Sequence, residues 1–391
     1  MLICIFAGFG LTQYLVNLHR STEASLAKRW FQRGEEAMHA NRPAIAADEY
    51  RTALSYDQEN QEYRLRLAEA LLAANRLNEA RAHLLSLWED EPADGKVNLA
   101  LARLYVRRGN AGEAIRYYDN AINGVWEEEP RQQRIATRFE LIRYLIGRHD
   151  QARARAETLA LQADGPPDPA GQLALGQLLL QVNEPEHASD AFDAVLKADP
   201  ANAQAWLGKG LTALALVQYS DAEHAFERAV QHDSKSDEAR QQLDLVREVL
   251  HVDPALRGLS VAECSKRVAE AFKAALTRLQ GCAAQPGYTL AVQPGATTQS
   301  LDRGVAAAAT PAKSAPPVIA APSGLQLLYT SGLQKQASAT EAALRNNPDA
   351  LEPTMQYVFE VERATAPVCP AMDLVDRALL TLAQRENENV K

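Results

Sequence analysis

A pattern that returns every 34 residues constrains this chain more than any other feature in it. The stretches "GEEAMHANRPAIAADEYRTAL" (Gly34 to Leu54), "AEALLAANRLNEARAHLLSL" (Ala68 to Leu87) and "ARLYVRRGNAGEAIRYYDNAI" (Ala102 to Ile122) align on one another with a shift of 34 residues. A small residue stands at Gly34, Ala68 and Ala102, an alanine at Ala46, Ala80 and Ala114, and a large apolar residue at Tyr50, Leu84 and Tyr118. The register slips by four at "EEPR" and resumes with Ala152, Ala188 and Ala222, the last two again 34 apart. A fixed period of this length means a stack of similar supersecondary units.

Within each unit the apolar residues recur at three- and four-residue spacing on two segments of about a dozen residues, which predicts a pair of amphipathic helices. Between the paired segments lie "NRP", "NRL", "GNAG", "GRHD" and "NEP". The leading Asn or Gly tolerates the left-handed conformation that ends a helix. Small residues let the two helices approach, and large ones fill the space between units. One hairpin cannot bury its apolar face alone, so a core forms only by stacking neighbours. Aromatic residues make up only 6% of the chain while Ala, Leu and Arg are abundant, which favours close-packed helices over sheets. The fold class expected is all-α.

These residues resemble the tetratricopeptide repeat family. The first unit carries Trp30, Gly34, Ala46, Tyr50 and Ala53 at the family's positions, the fifth Leu175, Gly176, Leu179, Ala188, Phe192 and Pro200, and the sixth Trp206, Gly210, Ala222, Phe226 and Ala229. Six units are assigned, at 27–60, 61–94, 95–128, 133–166, 169–202 and 203–236. The fourth departs from the pattern, with Glu140 where the small residue belongs and Arg143 where an aromatic is usual, so a distorted hairpin is expected there. The resemblance implies an α-solenoid over 27–250.

Beyond the last unit, "DEARQQLDLVREVL" (Asp237 to Leu250) continues helically and reads as a solenoid cap. Residues 251–282 hold a further capping helix, with Val261, Val268, Ala271, Phe272, Ala275 and Leu279 on one side. From 283 to 323 the chain is Ala, Pro, Thr and Gly with almost no charge, the composition of a flexible linker. Residues 324–391 contain three helical stretches punctuated by Pro348 and by Pro367 and Pro370. A unit so small is marginal alone and is expected to dock on the solenoid or on a partner.

Residues able to carry chemistry are sparse. The eight histidines are scattered, and there is no HExxH, GxxxxGK[ST], strand-flanked GxGxxG, GxSxG or CxxC. No catalytic, cofactor-binding or metal-binding residue is assigned, and no enzyme activity is expected. The acidic run Glu127, Glu128 and Glu129 reads as a solvated loop. The formal charge of −9, with basic and acidic residues interleaved, lacks the footprint of a nucleic-acid binder. Cys264 and Cys282 would stand roughly 27 Å apart on one continuous helix and could pair only if it breaks. Cys369 is the better partner for either, and a small buried hydrophobe is the default for each.

A binding surface remains. In the family the concave groove is lined by the first helix of each hairpin, which the resemblance carries onto Phe31, Glu35, Met38, Leu65, Glu69, Leu72, Leu99, Arg103, Arg107, Leu141, Tyr144, Leu173 and Gln177. Some members clamp a terminal carboxylate with paired Lys and Asn in the first hairpins; Phe31 and Glu35 stand at those places, which argues against such a clamp. The groove implies an interaction scaffold for a protein or peptide partner. Two alternatives stay open: a targeting or regulatory subunit of an enzyme complex, and a secreted binding protein.

The chain opens "MLICIFAGFGLTQYLVNLHR", seventeen largely apolar residues from Leu2 to Leu18. Residues 1–20 are expected to be an uncleaved anchor, placing a single-pass protein in a bacterial inner membrane. Arg20, Lys28, Arg29 and Arg33 put the repeats in the cytoplasm, whereas a lost basic leader would put them in the periplasm. A membrane span followed by such repeats resembles bacterial envelope-assembly factors. Secretion would require cleavage within "VNLHRSTEAS", which offers a poor small-x-small site.

Overall fold

The computed structural model describes residues 2–165, 168–283, 288–289, 319–320, 323–369 and 372–389, without the side chains of 2–18, 283, 288–289, 319–320, 323–324, 326 and 387–389. The chain falls into two compact units, 1–171 and 172–391. The first holds four antiparallel helix pairs: α1 (Leu2–His39) with α2 (Pro43–Tyr56), α3 (Gln61–Ala73) with α4 (Leu77–Asp90), α5 (Gly95–Arg107) with α6 (Ala111–Ile122), and α7 (Pro130–Gly147) with α8 (Gln151–Asp164). The second continues with α9 (Pro169–Gln181), α10 (Pro185–Ala198), α11 (Ala203–Ala215) and α12 (Tyr219–His232). It ends with α13 (Asp237–Val252), α14 (Val261–Ala283), α15 (Ser323–Lys335), α16 (Glu341–Asn346), α17 (Leu351–Thr365) and α18 (Leu374–Asn389). The architecture is an all-α solenoid of stacked hairpins.

Local chemistry sets the helix ends. Asn60, Asp94, Asn110, Asp150, Asn202 and Ser236 each accept a backbone N–H of the first turn that follows, a bond worth about 1 kcal/mol per helix. Each hairpin turn contains one residue with left-handed backbone: Asn41, Asn75, Gly109 and Asn183 in four of them. In the fourth hairpin that residue is His149 (φ 61°), two positions beyond Gly147. In the sixth it is Val217 (φ 61°), for which no Asn or Gly signalled a turn. A β-branched residue crowds its own backbone there, at a cost of about 1–2 kcal/mol.

Inside the hairpins, small residues meet large ones. A Cβ built on Gly34 would collide with the Tyr50 ring, one on Gly176 would lie 2.7 Å from Phe192, and one on Gly210 would collide with Phe226. These rings are buried, and so are the alanines of the repeat, Ala46, Ala80, Ala114, Ala188 and Ala222. The fourth unit differs because the segment before it is pinned to the third. Trp126 is buried, covers Gly95 so closely that no Cβ would fit, and donates its indole N–H to Ala121 O at 2.8 Å. Main-chain bonds Gly95 N to Val125 O and Val125 N to Ala93 O, both 2.8 Å, hold the inserted strand-like turn. The acidic run after it is exposed. Helix α7 then extends to 18 residues.

The expected membrane anchor is corrected. Among the described residues no helix is long and apolar enough to cross a membrane, so a single-pass inner-membrane placement is not supported. The apolar run rises only about 26 Å against a hydrocarbon core of about 30 Å, and Thr12, Gln13 and Asn17 interrupt it. Helix α1 continues from it without a break into the first hairpin, through Arg20, Glu23, Lys28, Arg29 and Arg33. Most of the expected 283–323 linker lies outside the described residues; Tyr288–Thr289 and Ile319–Ala320 pair as a short parallel ladder.

At the end of the second unit, α13 packs far more on α18 than on α14, which follows it in sequence. Helix α14 packs on α17. A disulfide joins Cys282 of α14 to Cys369, across 87 residues and a Cα separation of 5.6 Å. Cys264 stays free. One turn before Cys282, the buried Arg278 donates to Thr365 Oγ1 (2.6 Å), Asp376 Oδ2 (2.8 Å) and Cys369 O (3.0 Å), and its Nε lies 3.2 Å from Glu362 Oε2. Glu362 is wholly buried and neither of its oxygens receives a hydrogen bond. Burial pushes its carboxyl up to about 8, against the pull of Arg278 and with the help of Asp376 and Asp373.

Two predictions follow from these strained positions. Val217→Asn relieves the crowded turn and should stabilise the second unit by about 0.5–1 kcal/mol, read as a higher urea midpoint at unchanged slope. For Glu362 the folded carboxyl value lies above the unfolded 4.5, so the folded state holds a proton that the unfolded state loses. Stability should therefore decline as pH rises from 4.5 towards 8, and Glu362→Gln should abolish that slope in denaturation curves taken across the range.

Candidate functional site

The first helices of the hairpins in the first unit, α1, α3, α5 and α7, carry charged side chains that meet across them. Glu35 accepts from the Tyr50 hydroxyl and lies 3.9 Å from Arg66 Nε. Arg66 in turn donates to Glu69 at 3.1 Å. Glu69 is near enough for its charge to act on Arg103. Arg103 grips Glu140 through Nε (3.0 Å) and Nη2 (2.8 Å), a fork that suits a carboxylate. The Tyr118 hydroxyl donates to the same carboxylate at 2.7 Å. The result is a rail of alternating sign running Glu35, Arg66, Glu69, Arg103, Glu140. Its side chains are one-third to one-half exposed, so they are paired yet reachable from solvent.

The rail is electrostatically settled. Burial pushes the Glu140 carboxyl up, but the hydrogen bonds from Arg103 and Tyr118 and the charges of Arg103 and Arg143 outweigh it and hold it below the usual carboxylate range. Burial, then the bond to Glu35, drives the Tyr50 hydroxyl far above its ordinary value, and burial with Glu140 does the same for Tyr118. Both phenols are fixed donors.

At the α1 end of the rail the surface is aromatic. Phe31 stacks on Tyr63 with ring centroids 4.7 Å apart and lies 5.5 Å from Tyr50. Met38, Leu99 and Tyr144 are half-buried beside the charged positions. Leu65, Leu72 and Leu141 are buried and serve packing between helices. Arg107 reaches back to donate to Leu72 O at 2.8 Å, placing a cation on the carbonyl end of α3. Leu173 and Gln177, on α9, belong to the second unit, where Leu173 is half-buried and Gln177 exposed.

Three participants had not been singled out for the groove from the sequence: Arg66, Tyr63 and Glu140. Glu35, Glu69 and Arg103 stand 34 residues apart, which was the available signal for the rail. Glu140 follows Arg103 by 37, because the pinned turn around Trp126 and the longer α7 displace the fourth unit. The residue that looked misplaced at a small-residue position is the acceptor that Arg103 and Tyr118 share.

Tetratricopeptide repeat family models match residues 37–104 and 173–240. Both stretches are tetratricopeptide repeats. Among solved structures, this repeat protein is similar to YrrB, described as a tetratricopeptide protein with an unusual peptide-binding site, at 18% identity over 50% of this chain and 97% of that one, with a TM-score of 0.39. It is similar to PilF of Pseudomonas aeruginosa at 14% identity over 56% and 97% of the two chains, TM-score 0.40. It also resembles the C-terminal part of a repeat protein of Cytophaga hutchinsonii, at 14% identity over 57% and 86%, TM-score 0.45. No curated protein matches the chain. With its tetratricopeptide repeats the protein is a protein–protein interaction scaffold.

Replacing Glu140 with Gln leaves Arg103 and Tyr118 facing a neutral acceptor and should cost about 1 kcal/mol at pH 7. Because the folded carboxyl value is depressed, that contribution is present above the unfolded value of 4.5 and is lost as pH falls through the folded one. Urea midpoints of the variant and the parent should therefore converge on acidification.

Proposed function

We propose that the protein binds a segment of a partner protein along the inner faces of α1, α3, α5 and α7, with the rail as the contact surface. The observation that carries this reading is the rail itself: five charged side chains from four successive hairpins, paired with one another but half open to solvent. Exposed pairs of this kind hold each other by only about 0–1 kcal/mol, so a partner's charges can exchange into them at little cost. The stacked Phe31 and Tyr63 beside the rail suit an apolar or aromatic side chain of that segment. Because its charges alternate, the rail favours a segment of mixed charge over a purely acidic tail. An envelope-assembly role rested on the membrane anchor and is not carried further.

A photo-crosslinking residue placed at Glu69 or Arg103 in the full chain should capture a partner from the source cells. The same residue at exposed Arg116 on α6 should not, and Arg103→Glu should weaken capture from Glu69 by about tenfold, the effect of reversing one close charge pair. Equal capture from the α6 position would sink this reading.

A further inference from the structure

Helix α13 packs on α12 and starts as the first helix of another hairpin would, capped by Ser236, yet the place of its hairpin partner is taken by α18, which lies more than a hundred residues further along. Helix α18 brings to this union a thin apolar stripe of Ala378, Leu379, Leu382 and Ala383, all buried. Arg385 adds an ion pair to the buried Asp253 at 2.9 Å and sits over the Tyr219 ring. The approach to α18, however, is held elsewhere. Arg278 and Cys282 lie one turn apart on α14 and grip the same α17–α18 corner, Arg278 through Thr365, Asp376 and the Cys369 carbonyl, Cys282 through its bond to Cys369.

The non-covalent half of this grip is poorly satisfied. Arg278 faces the carboxylate of Asp376 and the carboxyl of Glu362, and the wholly buried Glu362 accepts no hydrogen bond. A buried charge cluster without full hydrogen bonding holds a corner weakly, because desolvation offsets much of the attraction. The covalent half is reachable. Cys282 and Cys369, themselves barely exposed, form part of the wall of a cleft of about 850 Å³ that opens to solvent and also runs past His251 and Val252 of α13.

We propose that the Cys282–Cys369 disulfide is a redox latch that keeps α18 seated on α13, and that its reduction by a dithiol turns α18 into an exchanging cap. The step is ordinary thiol–disulfide exchange. A reductant thiolate attacks one of the two sulfurs, the S–S bond breaks, and the other cysteine leaves as a thiolate. The reductant's second thiolate then displaces the first cysteine from the mixed disulfide. Two electrons pass, the protein gains two thiols, and the reductant leaves as its own disulfide. What opens is the face of α13 against which a further hairpin would stack.

Hydrogen exchange of the full chain, followed by mass spectrometry with and without dithiothreitol, tests the latch. Amides of α18 should exchange about tenfold faster or more after reduction, while those of α11 and α12 keep their protection. A Cys282→Ser, Cys369→Ser double variant should show the fast exchange without reductant and no further response to it, and Cys264→Ser should behave as the parent. Should the double variant fold poorly, the dithiothreitol comparison on the unaltered chain decides. Free thiols at Cys282 and Cys369 in the unreduced protein would overturn the proposal. So would unchanged α18 exchange once alkylation has confirmed reduction, or loss of protection that spreads equally through α11 and α12.

Discussion

The ring of Phe192 is seated between two glycines, Gly176 of its own hairpin and Gly208 of the next, each too close to the ring to carry a Cβ. That single contact closes one hairpin and seats its successor, so the spacing within a repeat and the spacing between repeats are one quantity. Interiors packed at this density leave no slack for adjusting one without the other. Gly34 against Tyr50 and Gly210 against Phe226 repeat the first half of the arrangement.

The choice of ring reaches the surface. Where the large residue is Phe, as at 192 and 226, it asks for nothing polar. In the first unit it is Tyr at 50 and 118, and a buried hydroxyl needs an acceptor. Glu35 and Glu140 supply one each, on the inner helices, and Arg66 and Arg103 then balance those carboxylates. The charge rail is in this sense the outer end of a packing decision. Two phenols in the core commit four charged side chains on the face that a partner would meet.

Much of this architecture could be read from periodicity. The hairpins, their small and large positions, and the left-handed turns at Asn41, Asn75, Gly109 and Asn183 all follow from residue types at a fixed spacing. Val217 carries no such signal, because tertiary stacking imposes the turn on a residue that disfavours it. Glu140 misled because its meaning depends on Trp126 docking on Gly95, a contact that a repeat alignment does not contain. The apolar run at Leu2–Leu18 suggested a span, since composition outweighed its length and its polar interruptions. Cysteine spacing on α14 allows a Cys264–Cys282 pair only if the helix breaks, but choosing between Cys264 and Cys282 as the partner of Cys369 needs the helix-to-helix packing. The meeting of α13 and α18 leaves no local trace in the sequence at all.

That meeting has a consequence for synthesis. Each hairpin from α1 to α12 pairs neighbours in sequence and can fold as it leaves the ribosome, whereas α13 finds α12 at once but must wait for α18. At about 5–20 residues per second, the hundred-odd residues between them impose a delay on the order of ten seconds. Throughout that interval the part of α13 that α18 covers stays open, and a nascent chain is exposed to chaperones at one known place. The solenoid grows from its beginning, but its end is sealed from a distance and late.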